Sequence, residues 1–217
     1  MKLLRFALPV LCAVVALTGC ETLPTASPTY NPPAHRPHNP DAVRVKVSLK
    51  NQAVYVLENG RPLLVTATCV GMPGHATRTG DFRVTEKVVQ KRSGSYGFSI
   101  SGDTIRPCEA GEATGAYKGY PMPYWVEFTP GYGFHEGYVW PVPRTHGCLR
   151  LHKEAAAKFY ALVKEGTPIN IATSQPEDET IGKNLARPTD YRDPDPAASY
   201  MISDGPFSGP KGPLFVD

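Results

Sequence analysis

Proline restricts a hydrophobic core to one stretch of this chain. Of its 217 residues 23 are proline, and many crowd residues 21–41 and 174–217, where apolar periodicity is nearly absent. Proline-rich segments are extended and semi-rigid, so the first is expected to be a tether and the second a largely irregular tail. The tail holds apolar side chains that could pack on a domain: Tyr191, Tyr200, Phe207, Leu214 and Phe215. Residues 42–173 remain, which suffice for a single core.

The patterns within residues 42–173 predict a mainly β fold with one or more helices. Apolar and polar residues alternate from Val43 to Leu49, as in a half-buried strand. The hairpin dipeptide Asn59-Gly60 separates two further apolar runs. Strands are therefore expected at residues 43–49, 53–57, 63–70, 82–89, 124–128, 132–135 and 168–172. After residue 148 the spacing becomes helical, and one apolar face contains Ala155, Ala156, Phe159, Leu162 and Val163, ahead of Gly166.

The N-terminus has the features of a secretory signal. Lys2 and Arg5 precede an apolar run, residues 6–17, that is too short to span a bilayer. The run ends in Leu17-Thr18-Gly19-Cys20, which resembles the lipobox of bacterial lipoproteins. Residues 1–19 would then be removed and Cys20 lipidated, followed by the tether over residues 20–41. The alternative is an ordinary signal peptide with a chance cysteine.

Charge and hydropathy give no support to nucleic-acid binding or to a membrane-spanning segment. The net charge of +3 falls to +1 without Lys2 and Arg5, so no electrostatic argument favours nucleic acid. No other apolar run is long enough to cross a membrane. Glu21 follows Cys20, and by resemblance to lipoproteins this favours the outer membrane of a Gram-negative bacterium, with the domain in the periplasm. Membrane attachment would rest on the lipid of Cys20.

The stretch from Thr145 to Arg150 reads Thr-His-Gly-Cys-Leu-Arg and sets the thiol of Cys148 beside an imidazole. A second histidine, His135, lies shortly upstream. A thiol attacks as its thiolate, so an acylating cysteine needs a neighbouring base or a lowered pKa. Entry into a helix would favour the thiolate through the helix dipole. The alternative is a buried cysteine in a turn with two satisfied histidines.

Two other cysteines are candidates for a disulfide. Cys12 leaves with the signal, Cys20 would carry lipid and Cys148 must stay reduced as a nucleophile, so Cys69 and Cys108 remain. The periplasm permits disulfides. This one would close a loop of about 40 residues, worth roughly 4 kcal/mol in the chain-entropy model. Two separate free thiols are the alternative.

Two stretches resemble the L,D-transpeptidase (YkuD-type) catalytic domain, which cross-links or modifies bacterial peptidoglycan. The first comprises residues 49–60, Cys69-Val70-Gly71 and Thr77-Arg78-Thr79-Gly80-Asp81-Phe82, similar to the family's T-P-T-G-x-F loop. The second runs from Met122 through His135 to Leu151 and contains the family's [S/T]-H-G-C signature. The resemblance implies a β-sandwich or barrel-like domain.

The resemblance also implies roles for individual residues. Cys148 would be the nucleophile and His135 the base, and His146 would shape the pocket. The backbone amides of His146, Gly147 and Cys148 would form the oxyanion hole. Four substrate-binding residues would be Arg150, Tyr124, Trp125 and Glu136, although core packing is the alternative for the two aromatic residues. Three departures stand out: Arg78 where proline is common, a short spacer after His135, and a carboxylate at Glu136.

The implied reaction is a two-step acyl transfer. Cys148 would attack the third residue of a peptidoglycan stem tetrapeptide, release D-alanine and pass the acyl group to an amine, either of a second stem or of a lipoprotein lysine. Water as acceptor would make the protein a carboxypeptidase or endopeptidase. No metal or organic cofactor is implied. Two interpretations compete with this one: a zinc hydrolase using His135, His146 or His152 with Cys148, and a non-catalytic cell-wall-binding lipoprotein.

Overall fold

A computed structural model describes residues 30–217. The predicted signal peptide and Cys20 lie outside these residues. Within the described part, no helix is both long and apolar enough to cross a bilayer.

Ten strands and two α-helices are found within residues 30–217. The strands are β1 (Val43–Ser48), β2 (Ala53–Glu58), β3 (Arg61–Ala67), β4 (Gly80–Arg83), β5 (Glu86–Ser101), β6 (Thr104–Glu109), β7 (Ala116–Thr129), β8 (Tyr132–Glu136), β9 (Leu149–Leu151) and β10 (Pro168–Ala172). The helices are α1 (Lys153–Leu162) and α2 (Ala198–Ile202). Short 3-10 helices occupy Pro40–Ala42, Ala110–Glu112, Pro176–Glu179, Asp190–Arg192 and Gly205–Phe207.

The strands form two five-stranded sheets, which confirms the prediction of a mainly β fold. One sheet has the order β3-β2-β1-β10-β4 and the other β6-β5-β7-β8-β9. One hydrophobic cluster draws residues from both sheets and from α1, so the sheets and the helix share a core. Phe159 of α1 packs on Phe134 of β8 at 4.4 Å between ring centroids. The core thus supports the inner face of β8 and β9.

The predicted strand over residues 82–89 is wrong in its extent. The chain changes sheets at residues 84–85, because Val84 N–H donates to Thr167 O and Thr85 N–H donates to Glu127 O. Residues 80–83 therefore pair with β10 and residues from 86 onward with β7. The long strands β5, β6 and the first half of β7 were not predicted, because most of their side chains are exposed or half-buried and show no apolar alternation.

The described part of the expected tether, residues 30–41, lies against the domain. The Tyr30 hydroxyl is 2.9 Å from Thr66 Oγ1 and accepts a hydrogen bond from Ala67 N. Ala34 is fully buried, and Lys158 of α1 donates to the carbonyl of Pro32. The expectation of an extended tether is thus wrong for these residues, because hydrogen bonds and a buried lysine hold them.

The C-terminal segment is mostly irregular but is packed on the domain. Asp190 accepts a hydrogen bond from Val139 N at 3.2 Å, and Tyr138 donates to Pro194 O at 3.0 Å. These bonds hold the loop that leaves β8. The five apolar residues of the tail differ in their environment: Phe215 packs against the core, Tyr191 packs on Trp140, Phe207 lies under Arg92, Leu214 is half-buried and Tyr200 stays 45% exposed.

Candidate active site

Strand register brings Cys148 and His135 together. β8 and β9 are parallel, with Phe134 opposite Leu149 and His135 opposite Arg150. Successive side chains of a strand point to opposite faces. Phe134 and Leu149 are buried in the core, so His135, Arg150 and the adjoining Cys148 share the outer face. A thiol, an imidazole and a guanidinium thus lie side by side at the edge of the sheet.

The turn before Cys148 requires glycine at residue 147. Gly147 has φ +108°, in the region that favours glycine, and a Cβ there would lie 2.4 Å from the Tyr132 ring. Two buried threonines hold the turn. Thr145 Oγ1 accepts from Gly147 N at 3.1 Å and donates to Cys148 O at 2.6 Å, while Thr77 Oγ1 donates to Gly147 O at 2.9 Å. The cysteine is therefore presented on a rigid turn.

His135 is held as a neutral base. Its Nδ1 lies 2.7 Å from the Glu136 carbonyl oxygen, and a carbonyl only accepts, so Nδ1 carries the proton and Nε2 keeps its lone pair. Burial, with the positive charge of Arg150 as a smaller cause, lowers the pKa of His135 to about 3, and the Glu136 carbonyl opposes this only partly. The side chain is 5% exposed. At neutral pH the imidazole is therefore unprotonated, with the Nε2 lone pair available.

Cys148 is protonated in the resting site. Burial raises the pKa of its thiol, although the Gly133 backbone N–H and the charge of Arg150 act in the opposite direction. The thiol faces the Gly131 carbonyl oxygen at 3.8 Å. The expected help from a helix dipole is wrong, because β9 intervenes and α1 begins only at Lys153, beyond the reach of a terminal dipole.

Arg150 has no ion-pair partner among residues 30–217. Its backbone is paired with Cys69 in both directions at 3.0 Å, which fixes the strand. The side chain runs past Gly137, where a Cβ would lie 3.0 Å from Arg150 Cδ. A half-buried guanidinium without a carboxylate is suited to an anionic group of a ligand.

The two predicted aromatic residues lie on different faces of β7. The Trp125 ring is 6.2 Å from the His135 ring, and its buried Nε1–H has no partner within the described part of the chain. Tyr124 has φ +57° and packs towards Tyr160 of α1 at 5.7 Å. Tyr124 therefore packs against the core, which is the alternative that the sequence left open, and its contact with substrate stays a prediction.

Glu136 also differs from its predicted role. It alternates with His135 and so points to the core face, where it lines a cleft of about 1350 Å³ between the N-terminal segment and the tail. Burial raises the pKa of this carboxyl to about 7. Cys148 and His135 do not line that cleft. Glu136 contributes to the thiol's side of the sheet through its carbonyl, which orients His135, and not through its carboxylate.

His146 forms a wall and is not placed as the base. Its ring stacks on Tyr96 of β5 at 4.7 Å and 8° between ring planes, and meets His75 edge-on at 4.6 Å. Burial, followed by the charges of His75 and Arg150, lowers the pKa of His146. The part of β5 where pairing with β6 begins therefore lies beside the turn that carries Cys148.

The predicted disulfide is not formed. Cys69 and Cys108 are both free thiols. Cys69 bridges to Arg150 at β9, whereas Cys108 lies on β6 at the opposite edge of the same sheet. Among residues 30–217, no three His, Cys, Asp or Glu side chains are grouped so that they could hold a metal ion.

Sequence reasoning did not single out the two threonines or Tyr132. Thr77 opens the T-R-T-G segment and Thr145 directly precedes His146, so their place in the motifs was a usable signal. Gly131 and Gly133 flank Tyr132, and glycine in a strand often marks a close approach. A Cβ at Gly133 would lie 2.8 Å from the Trp125 ring. The glycines thus mark the positions at which the backbone of the site packs closely against aromatic rings.

A mainly β domain with a thiol, a neutral imidazole and an unpaired guanidinium on one sheet face is suited to covalent chemistry at a cysteine. A sequence model of the L,D-transpeptidase catalytic domain (YkuD) matches residues 42–171. The chain therefore belongs to the YkuD family of L,D-transpeptidase catalytic domains.

Solved structures with a similar fold include three bacterial L,D-transpeptidases. The Stackebrandtia nassauensis protein is 22% identical with a TM-score of 0.46, covering 66% of this chain and 60% of its own. The Mycobacterium smegmatis protein is 19% identical with a TM-score of 0.47, covering 60% and 58%. L,D-transpeptidase 1 of Mycobacterium tuberculosis is 22% identical with a TM-score of 0.44, covering 61% and 60%. The match thus spans about three fifths of each neighbour. No curated protein matches this chain.

Proposed function

We propose that this protein is a peptidoglycan L,D-transpeptidase that works through a thioester on Cys148. The observation that carries the proposal is the shared sheet face of Cys148 and His135, with Nε2 of a neutral imidazole free to take the thiol proton. Membership of the family supports the same reaction class.

In the first step the Cys148 sulfur attacks the carbonyl carbon of the third residue of a stem tetrapeptide. The thiol proton passes to His135 Nε2, and the carbonyl oxygen becomes an oxyanion. The bond to D-alanine then breaks, and its amine leaves with the proton from His135. A thioester remains on Cys148.

In the second step an amine attacks the thioester. The amine proton passes to His135, the C–S bond breaks, and the proton returns to the sulfur. The acceptor is a second stem, which yields a cross-link, or the lysine of a lipoprotein. Water in the same place would yield hydrolysis, which is the second candidate outcome for the same intermediate.

Two side chains beside His135 are assigned to substrate binding. Arg150, half-buried and without an ion-pair partner among the described residues, would bind a carboxylate of the stem peptide. Trp125 would form part of the wall and donate its unpaired Nε1–H to a carbonyl group of the substrate. Both lie beside His135, so they would orient the donor stem relative to the thiol.

The setting proposed for this reaction is the periplasm, with the protein attached to the outer membrane by a lipid on Cys20. The sequence from Leu17 to Cys20 supports it. Metabolic labelling with a fatty acid tests the anchor. A labelled wild-type protein and an unlabelled Cys20→Ala variant are expected, whereas a labelled variant would contradict it.

The decisive experiment is to incubate the protein with purified muropeptides and to identify the products by mass spectrometry. Free D-alanine with a new dimer indicates transpeptidation, D-alanine with a tripeptide indicates hydrolysis, and a cleaved dimer indicates endopeptidase activity. Cys148→Ala should give none of these. The proposal would be refuted if the products persisted in Cys148→Ala. It would also be refuted if the wild type formed no thioester with either a muropeptide or a carbapenem.

A further inference from the structure

Thr77 connects the loop that follows β3 to the catalytic turn. Its hydroxyl donates to Gly147 O at 2.9 Å and accepts from Gly71 N at 2.9 Å, across 70 residues of sequence to Gly147. The side chain is 4% exposed. Both of its hydrogen bonds are therefore shielded from water and fix the position of Gly147 O.

The bond to Gly147 O also determines where the N–H of Cys148 points. The two groups belong to one planar trans peptide, in which C=O and N–H point in opposite directions. Among residues 30–217 no acceptor takes the Cys148 N–H, which precedes β9 and lies outside its ladder. A hydroxyl that holds the Gly147 carbonyl therefore fixes the Cys148 N–H on the opposite side of the peptide, away from Thr77 and without an acceptor among the described residues.

The neighbouring amide is not free in the same way. Gly147 N–H donates to Thr145 Oγ1 at 3.1 Å. Of the turn amides predicted to form the oxyanion hole, that of Gly147 is therefore already hydrogen-bonded within the protein. Thr145 thus takes up the Gly147 amide, and Thr77, by holding Gly147 O, leaves the Cys148 amide available.

We propose that Thr77 is a positioning residue for acyl transfer, which holds the Cys148 N–H towards the oxyanion that forms on the scissile carbonyl. The inference rests on the proposed function, because it requires a tetrahedral intermediate at Cys148. Thr77 touches neither substrate nor thiol. It acts through the Gly147–Cys148 peptide, so its removal leaves the nucleophile in place and weakens stabilisation of the oxyanion.

The experiment compares two reactions of the same thiol in the full-length protein. Release of D-alanine from a tetrapeptide, and acylation by a carbapenem, both pass through an oxyanion. Alkylation by iodoacetamide displaces iodide and forms no oxyanion. Thr77→Val removes the hydroxyl at nearly constant volume, and Thr77→Ser keeps it. Thr66→Val makes the same change at another fully buried threonine, on β3.

Thr77→Val should lower kcat and the carbapenem acylation rate about 10- to 100-fold, somewhat less than the loss of an oxyanion-hole donor. Its KM and its rate of Cys148 alkylation, followed by peptide mass spectrometry, should stay within about twofold of the wild type. Thr77→Ser should recover most of the loss, and Thr66→Val should behave as the wild type.

Three results would overturn the assignment: an unchanged kcat in Thr77→Val, a parallel fall of acylation and alkylation, or a Thr77→Ser variant as impaired as Thr77→Val. The second result would show that Thr77 only supports the loop. A wild type that reacts with the carbapenem but releases no D-alanine would contradict the proposed function alone, and the carbapenem rates would then still test Thr77.

Discussion

The resting site is predicted to contain a neutral thiol and a neutral imidazole, and not a thiolate–imidazolium pair. Burial lowers the pKa of His135 to about 3 and raises the pKa of Cys148 above its ordinary 9.0. Transfer of the proton from the Cys148 sulfur to His135 in the empty site is therefore unfavourable, because the pKa of the acceptor is about 3 and that of the donor is above 9.0. At about 1.4 kcal/mol for each pH unit, the cost is on the order of 8 kcal/mol before the attraction between the thiolate and the imidazolium is counted, and that attraction lowers it.

The rate of Cys148 alkylation by iodoacetamide measures the thiolate directly, because only the thiolate attacks. It should rise continuously from pH 6 to pH 9, without a plateau at neutral pH. Peptide mass spectrometry separates the Cys148 adduct from those of Cys69 and Cys108, which are also free.

His135→Gln provides the matched test. It should reduce acyl transfer by about 10²- to 10⁴-fold, because a general base is lost, yet leave the pH profile of alkylation nearly unchanged. An alkylation plateau below pH 7 that disappears in His135→Gln would show a resting ion pair and refute this reasoning.

Three further changes test the structure. Gly147→Ala should lose most acyl transfer, and its free energy of unfolding should fall by about 1–3 kcal/mol from left-handed backbone strain and further from the clash with the Tyr132 ring. Gly60→Ala, at φ +86° in open space, should show only the loss from strain. Equal losses of the two variants in thermal melts would contradict the Tyr132 contact. Lys158→Met should lower the free energy of unfolding in urea by about 1–3 kcal/mol, and no change would contradict the anchoring of residues 30–33 to α1. Arg150→Lys should raise KM about tenfold or more, given about 1.5–3 kcal/mol for a hydrogen bond to a charged group, and an unchanged KM would exclude the carboxylate contact.

Local pattern was sufficient for much of the fold. Residues 43–49 alternate because one face of β1 meets the core, and the helix after residue 152 shows its apolar face in the same way. The β5–β6 hairpin has no such signal, because neither of its faces is covered for most of its length. Its strands are held by backbone pairing with each other and of β5 with β7, which leaves no alternation in the sequence.

The candidate site, like the fold, could be predicted from the sequence only in part. The motif residues alone indicated that a cysteine and a histidine would act together, because a short motif specifies a turn with glycine at its sharpest point. Sheet packing set which face each neighbour occupies: Tyr124 packs against the core, Glu136 lines the separate cleft, and Arg150 lies beside His135. It also brought Thr77 to Gly147 and Tyr96 to His146. Contacts between segments so far apart in sequence depend on how the sheets pack, and no local periodicity encodes them.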